Sequence, residues 1–290
     1  MHRIKMYLDF IKIEHTLFAL PFAYAGAFLA AGGFPDLRVS FLILTAFTGL
    51  RTAAMVFNRI IDREIDARNP RTASRHLPAG LIDLKEAYAI AVVSLAIYFL
   101  SAALINKTAL LLSPIPAITA YIYPYLKRFT CLCHYVLGLN LAFAPLGGWI
   151  AVTDSADIFG SELIPALIGI AVIFWVAGFD IIYGLQDIEF DRKAGLHSIG
   201  AHFGVKTAIW VSRINHIAFF VFVSIAFYIY RADLALAFLP VIGMLLFYEH
   251  FTVRKGWDEA KIQIAFFYMN AAVSATLLLS IFVQVLKNKF

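Results

Sequence analysis

Residues 58–66 read "NRIIDREID", directly after the apolar run "FLILTAFTGLRTAAMVF" at 41–57. Asn58, Asp62 and Asp66 recur at every fourth position, which keeps them on one helical face. An acid carried into a bilayer costs about 2.5–3.5 kcal/mol even on insertion scales, so such residues are partnered or functional. A polar stripe closing a membrane-grade helix therefore needs a partner, and the rest of the chain supplies candidates.

Of the 290 residues, 61% are hydrophobic and 15% are charged, against about 45–50% and 25% in soluble domains. The composition predicts an all-α polytopic membrane protein, a single domain over residues 1–290. Nine apolar stretches reach the about 20 residues that a span requires: 16–33, 39–58, 86–105, 108–126, 134–152, 163–183, 208–230, 233–251 and 263–286. Before them, "MHRIKMYLDFIKIEH" (1–15) mixes apolar and charged residues at helical spacing, the pattern of an amphipathic helix on the membrane surface; no cleavable signal peptide is evident. The net charge of +5 is no nucleic-acid signal, because Lys and Arg sit in short loops between apolar runs. Cys131 and Cys133, the two cysteines, are too few for a disulfide framework or a zinc site.

With the N-terminus inside, 17 of the 24 Lys and Arg fall on the cytoplasmic side and 5 on the outer side. The positive-inside rule then orients the chain in the cell membrane with its C-terminus outside. Two long loops, 59–85 and 184–207, face the cytoplasm. The second opens on D-x-x-Y-x-x-x-D-x-x-x-D, formed by Asp180, Tyr183, Asp187 and Asp191. Asp62 and Asp66 match Asp187 and Asp191 at an offset of 125 residues. Two repeats of four helices plus a ninth, around a central cavity, follow from this echo, and repeat interfaces in membrane proteins commonly hold the site.

Each D-x-x-x-D pair sets two carboxylates about 6 Å apart along a helix. Two such faces across one cavity would repel and raise one another's pKa values. A hard divalent cation relieves that repulsion, and Mg2+ is typically held by one or two carboxylates plus substrate phosphates. Arg71 and Arg75 are four apart, as are Tyr123 and Lys127. Singly these are candidate salt-bridge partners; as a set they suit a diphosphate gripped by metal and guanidinium together.

The stretches "NRIIDREIDARNPRTASRHLPAG", "YIYPYLKR" and "DIIYGLQDIEFDRKAGLHSI" resemble UbiA-type intramembrane prenyltransferases, over nearly the whole chain. Within that superfamily the chain is similar to the 4-hydroxybenzoate polyprenyltransferase-like branch, which includes relatives acting on naphthoates. The resemblance implies that Asn58, Asp62, Asp66, Asp187 and Asp191 hold Mg2+ against an isoprenyl diphosphate. It implies that Arg71, Arg75, Tyr123 and Lys127 contact the diphosphate, and that Asp180 and Tyr183 lie near the reacting carbon. The implied activity is transfer of the isoprenyl or polyprenyl group to an aromatic acceptor such as 4-hydroxybenzoate in quinone biosynthesis. Where ubiquinone-type members carry R-x-D-K-P in the first helix, this chain has "KIEHT", so Lys12 and His15 become the acceptor-side candidates, with a hydroxynaphthoate as the alternative acceptor. Arg59 stands where many members have Asp.

Two other membrane classes carry buried acids. CDP-alcohol phosphotransferases gather theirs in one block with D-G-x-x-A-R, which does not occur here. Ion-coupled transporters place them at the midplane on broken helices, whereas these acids cap helix ends beside Arg71, Arg75 and Lys127.

Overall fold

Several of the helices begin at a side chain that caps them. The computed structural model describes residues 2–157, 159–160, 163–254, 256 and 258–289; Met1 of the amphipathic segment and Lys255 of the inner-loop bases lie outside them. Helix α1 (His2–Ile11) precedes α2 (Ile13–Ala31), α3 (Leu37–Ile61), α4 (Arg63–Arg68), α5 (Leu84–Ile105), α6 (Lys107–Leu112), α7 (Pro114–Leu126) and α8 (Cys133–Thr153). The second half holds α9 (Ile164–Tyr183), α10 (Ile188–Ala194), α11 (Ile199–Phe203), α12 (Val205–Ile229), α13 (Asp233–Leu236), α14 (Leu239–Val253), α15 (Glu259–Gln263) and α16 (Asn270–Lys289). Asp36, Asp83 and Asn106 accept from backbone amides of the first turns of α3, α5 and α6, satisfying donors that a helix start leaves open. No named β-strand occurs among the described residues.

Among the described residues, nine segments are long and apolar enough to cross a membrane, and each overlaps an expected span. The fourth joins α6 to α7, the eighth α13 to α14, and the ninth runs from α15 into α16. Large apolar side chains such as Leu100, Leu111, Ile118, Ile217 and Phe247 are exposed on the outside, as a lipid-facing surface requires.

The boundaries differ from the sequence expectation at the polar ends. The N-terminal helix stops at Ile11 rather than residue 15, because Lys12 turns left-handed (φ 53°) and α2 starts at once. Nor does α1 lie free: Phe10 is buried with Val56, Leu77, Ile82 and Ala87, and the Tyr7 hydroxyl donates to Glu86. The first expected loop holds α4 and then turns without helix over 69–83, whereas 184–207 is largely helical, with a 3-10 turn (Gly184–Asp187), α10 and α11.

Packing recurs with the interval of the motifs. Helix α3 packs on α5, as α9 packs on α12, and α2 and α8, the first helices of the two sets of four, pack on each other. At that crossing a Cβ on Gly26 would stand 2.0 Å from the Pro145 carbonyl oxygen, and one on Gly148 would stand 2.0 Å from that of Ala23. Small residues are what let membrane helices approach so closely. The main core centres on Trp175, fully buried among Phe18, Phe22, Phe179 and Phe219. Between α2, α3, α5, α7 and α8 lies an apolar cavity of about 380 Å³, walled by Ile43, Phe47, Leu50, Ile105 and Leu141 and reaching Arg51 and Tyr123.

Candidate active site

Both acid motifs are built on the same local joint. Asp62 ends α3 and starts α4 with φ −91° and ψ 1°; Asp187 ends the 3-10 turn and starts α10 with φ −105° and ψ 1°. This bridge region of backbone space is thinly populated and frequent in active sites. Each D-x-x-x-D pair thus bends at its first aspartate and does not run along one straight helix.

The cluster is held by bases that reach between chain segments. Asp62 is almost fully buried and receives Lys127 Nζ at 2.6 Å and Arg128 Nη2 at 3.5 Å. Asn58 Nδ2 donates to Asp62 at 3.2 Å and to the Tyr123 hydroxyl at 3.1 Å. Burial pushes the Asp62 carboxyl above the usual carboxylate range, against the pull of Lys127. Arg75 Nη1 donates to both oxygens of Asp66, at 2.7 and 2.8 Å.

Arg71 carries the first loop to the second motif. Its Nε donates to Asp187 Oδ1 at 2.9 Å, Nη2 donates to the other oxygen, and Nη1 donates to the Tyr183 hydroxyl at 3.1 Å. Asn69 adds a bond from Nδ2 to Asp187 at 2.8 Å. A residue of the first loop therefore clamps two residues of the second motif, in the forked geometry that guanidinium favours. Asp191 accepts from Ser198 Oγ at 2.9 Å. Asp180 Oδ2 lies 2.7 Å from His134 Nδ1, while the Ile199 amide donates to His134 Nε2 at 3.4 Å. The second contact makes Nε2 an acceptor and leaves the ring proton on Nδ1, facing Asp180.

The structure thus brings together Asn58, Asp62, Asp66, Arg71, Arg75, Tyr123, Lys127, Tyr183 and Asp187, while Asp180 and Asp191 are held at the start of α11, through His134 on the Ile199 amide and through Ser198. Lys12 stands apart, half-exposed and paired with Glu14 at 3.2 Å. His15 sits in an aromatic wall, 5.3 Å from Phe266 and 5.6 Å from Phe18 between ring centres. Sequence reasoning missed Asn69, Arg128, His134 and Ser198. Asn69 lay in plain view as a polar residue inside the acid- and base-rich loop, and Ser198 as the N-cap of α11.

Among the described residues, no three His, Cys, Asp or Glu side chains stand close enough to hold a metal ion, because bases lie between the carboxylates. The donor set nonetheless suits a hard cation, since it consists of oxygens from carboxylates and an amide. Asp62 Oδ1 is buried without a hydrogen bond, its charge met only by Arg128 Nη2 at 3.5 Å, which leaves an unsatisfied lone pair on this carboxylate.

Residues 19–271 match the UbiA prenyltransferase family. The chain is 28% identical to a 4-hydroxybenzoate octaprenyltransferase of Vibrio atlanticus, over 78% of each protein. Its fold superposes on the apo structure of a UbiA homologue from Aeropyrum pernix with a TM-score of 0.84 and 38% identity, covering 93% of this chain and 98% of that one. A UbiA homologue from Archaeoglobus fulgidus bound to GPP and Mg2+ shares the fold at a TM-score of 0.66 and 22% identity, covering 97% of this chain and 99% of that one.

Proposed function

The chain belongs to the UbiA prenyltransferase family, and from that premise we propose that it transfers an isoprenyl or polyprenyl group from its diphosphate to 4-hydroxybenzoate or a closely similar aromatic acceptor, with Mg2+ as cofactor. The observation that carries this reading is the Arg71 clamp, which ties the loop that follows the first acid motif to Asp187 and Tyr183 of the second, beside an apolar cavity that shares Tyr123 with the Asn58–Asp62 group. The Vibrio atlanticus relative favours a single-ring acceptor over a hydroxynaphthoate and over ion-coupled transport.

Asn58, Asp62, Asp66, Asp187 and Asp191 would hold Mg2+, which when bound neutralises charge on the diphosphate oxygens. Arg71, Arg75 and Lys127 exchange their carboxylate partners for phosphate oxygens and stabilise the negative charge that builds as the diphosphate leaves. Tyr123 joins them through its hydroxyl. The apolar cavity takes the hydrocarbon tail and keeps water from the allylic cation, whose charge the faces of Tyr183 and its neighbouring rings offset. Asp180, fixed by His134, lies one helical turn before Tyr183 on α9, and the two flank the carbon that the acceptor ring attacks. His15 faces the acceptor, and Lys12 reaches it on release from Glu14.

Purified protein given geranyl diphosphate and 4-hydroxybenzoate should form a prenylated aromatic acid and release diphosphate. EDTA should stop both and added Mg2+ should restore them. Diphosphate release without a ring-prenylated product, or turnover indifferent to EDTA, would refute the assignment.

The charge asymmetry of the loops supports a cytoplasmic N-terminus and cytoplasmic motif loops in the cell membrane. Ala67 and Lys193 are exposed on those loops. In a Cys131→Ser background, Ala67→Cys and Lys193→Cys should resist an impermeant maleimide in intact cells and react after permeabilisation. Labelling of either one in intact cells reverses the orientation.

A further inference from the structure

Between α15 and α16 the ninth span contains a π-turn, Ile264–Met269. Such turns carry an extra residue within a helix and are frequent at functional sites. This one is held by a side chain: Asn270 Nδ2 donates to the carbonyl oxygens of Ala265 at 3.0 Å and Phe266 at 2.9 Å. Asn270 is fully buried and its Oδ1 receives no hydrogen bond. Beside it on α14, close enough to interact with its side chain, stands Glu249, also fully buried, and neither carboxyl oxygen meets a hydrogen-bond partner in good geometry. The nearest base, His216 Nδ1 of α12, is 3.8 Å from Glu249 Oε2 and already faces His250 Nε2 at 3.0 Å.

A buried intramembrane acid calls for a role, and none of the steps above uses Glu249. Whenever its carboxyl carries a proton, Glu249 has one O–H to give, which is what Asn270 Oδ1 lacks. Such a bond would fix Asn270 on both sides and lock the turn. What the turn delivers is Phe266. Its ring centre lies 4.4 Å from that of Tyr183, 5.3 Å from Phe179 and 5.3 Å from His15. Removing the extra residue of a π-turn would rotate the preceding segment by about 100° against α16 and take Phe266 off Tyr183.

We propose that Phe266 is the wall that limits the size of the aromatic acceptor admitted beside Tyr183, and that Asn270 and Glu249 are positioning residues that hold the π-turn which places it. The inference rests on the prenyl-transfer reading and adds to it a determinant of acceptor choice. Trimming a pocket wall changes discrimination between substrates by about 10–200-fold.

The test compares kcat/KM for 4-hydroxybenzoate and for a hydroxynaphthoate at saturating geranyl diphosphate, together with the donor KM. Phe266→Ala should raise the two-ring to one-ring ratio at least about tenfold and leave the donor KM unchanged. Asn270→Leu and Glu249→Leu should shift the ratio in the same direction. Glu249→Gln, which keeps a donor for Asn270, should retain wild-type selectivity, a rescue that a general packing role would not produce. Phe266→Leu serves where a larger change prevents folding, with a smaller shift of the same sign. An unchanged ratio in the Phe266 variants, or donor and acceptor KM rising together, overturns the proposal while wild-type turnover upholds the reaction. A wild-type chain that transfers no prenyl group overturns both.

Discussion

Asp66→Asn and Asp191→Asn together should reduce turnover little further than the more damaging of the two alone, each single change costing about a hundredfold or more, the scale seen when an electrostatic contact to a transition state is lost. Groups that act as one unit give strongly non-additive losses, and the geometry makes the motifs such a unit. Arg71 of the first loop is bonded to Asp187 of the second motif, and Asn69 shares the same carboxylate. Losing either end of the cluster therefore disturbs the other. Donor affinity in the double variant should no longer respond to Mg2+. Lys127→Ala should behave differently. It frees Asp62 from its 2.6 Å partner and removes the phosphate contact proposed for Lys127, so donor binding should weaken while the Mg2+ response survives. Donor binding and turnover measured across a Mg2+ titration distinguish these outcomes. Multiplicative losses, or a wild-type Mg2+ response in the double variant, would show two independent sites.

Gly148→Ala should be the most damaging single-methyl addition in the chain, together with Gly26→Ala. Each new Cβ would stand 2.0 Å from a carbonyl oxygen of the facing helix, and backbone cannot swing aside as the tip of a side chain can. Overpacking of this kind costs about 1–3 kcal/mol or more, and here the upper end applies because α2 and α8 must separate along their whole crossing. Gly147 provides the control, since a Cβ there meets nothing within 4 Å and alanine is the better helix former by about 1 kcal/mol. Thermal unfolding in detergent should show a large fall in midpoint for Gly148→Ala and none for Gly147→Ala. Equal midpoints for the two would mean that the crossing is looser than described.

The spans were legible because about 20 consecutive apolar residues have few alternatives, and Asp62, Asp66, Asp187 and Asp191 because carboxylates are rare in such surroundings. Partners were harder to read. Arg71 and Asp187 are 116 residues apart, and spacing within a helix says nothing about what a loop meets across a cavity. The sequence pairs Arg71 with Arg75, and Tyr123 with Lys127, as neighbours; the fold instead sends Arg71 to Asp187, Arg75 to Asp66 and Lys127 to Asp62. His134 could not be found without its contact to Asp180, and the break at Lys12 is a backbone choice with no glycine to announce it. The π-turn left one trace, a lone Asn270 in the middle of an apolar run, whose meaning depends on Ala265 and Phe266 carbonyls that only the folded helix offers.

Because Asp62, Asp66 and Asp187 each carry a counter-charge, their fields cancel within a few ångströms. Beyond a Debye length of about 8 Å at physiological ionic strength, the cluster looks nearly neutral from the aqueous side. It does not fish for anions in bulk water, and its capture rate should vary little with salt, unlike that of clefts lined by one sign of charge. Selection then falls to the greasy end of the molecule, and an amphiphile already dissolved in the bilayer reaches the cluster ahead of free inorganic diphosphate at equal concentration.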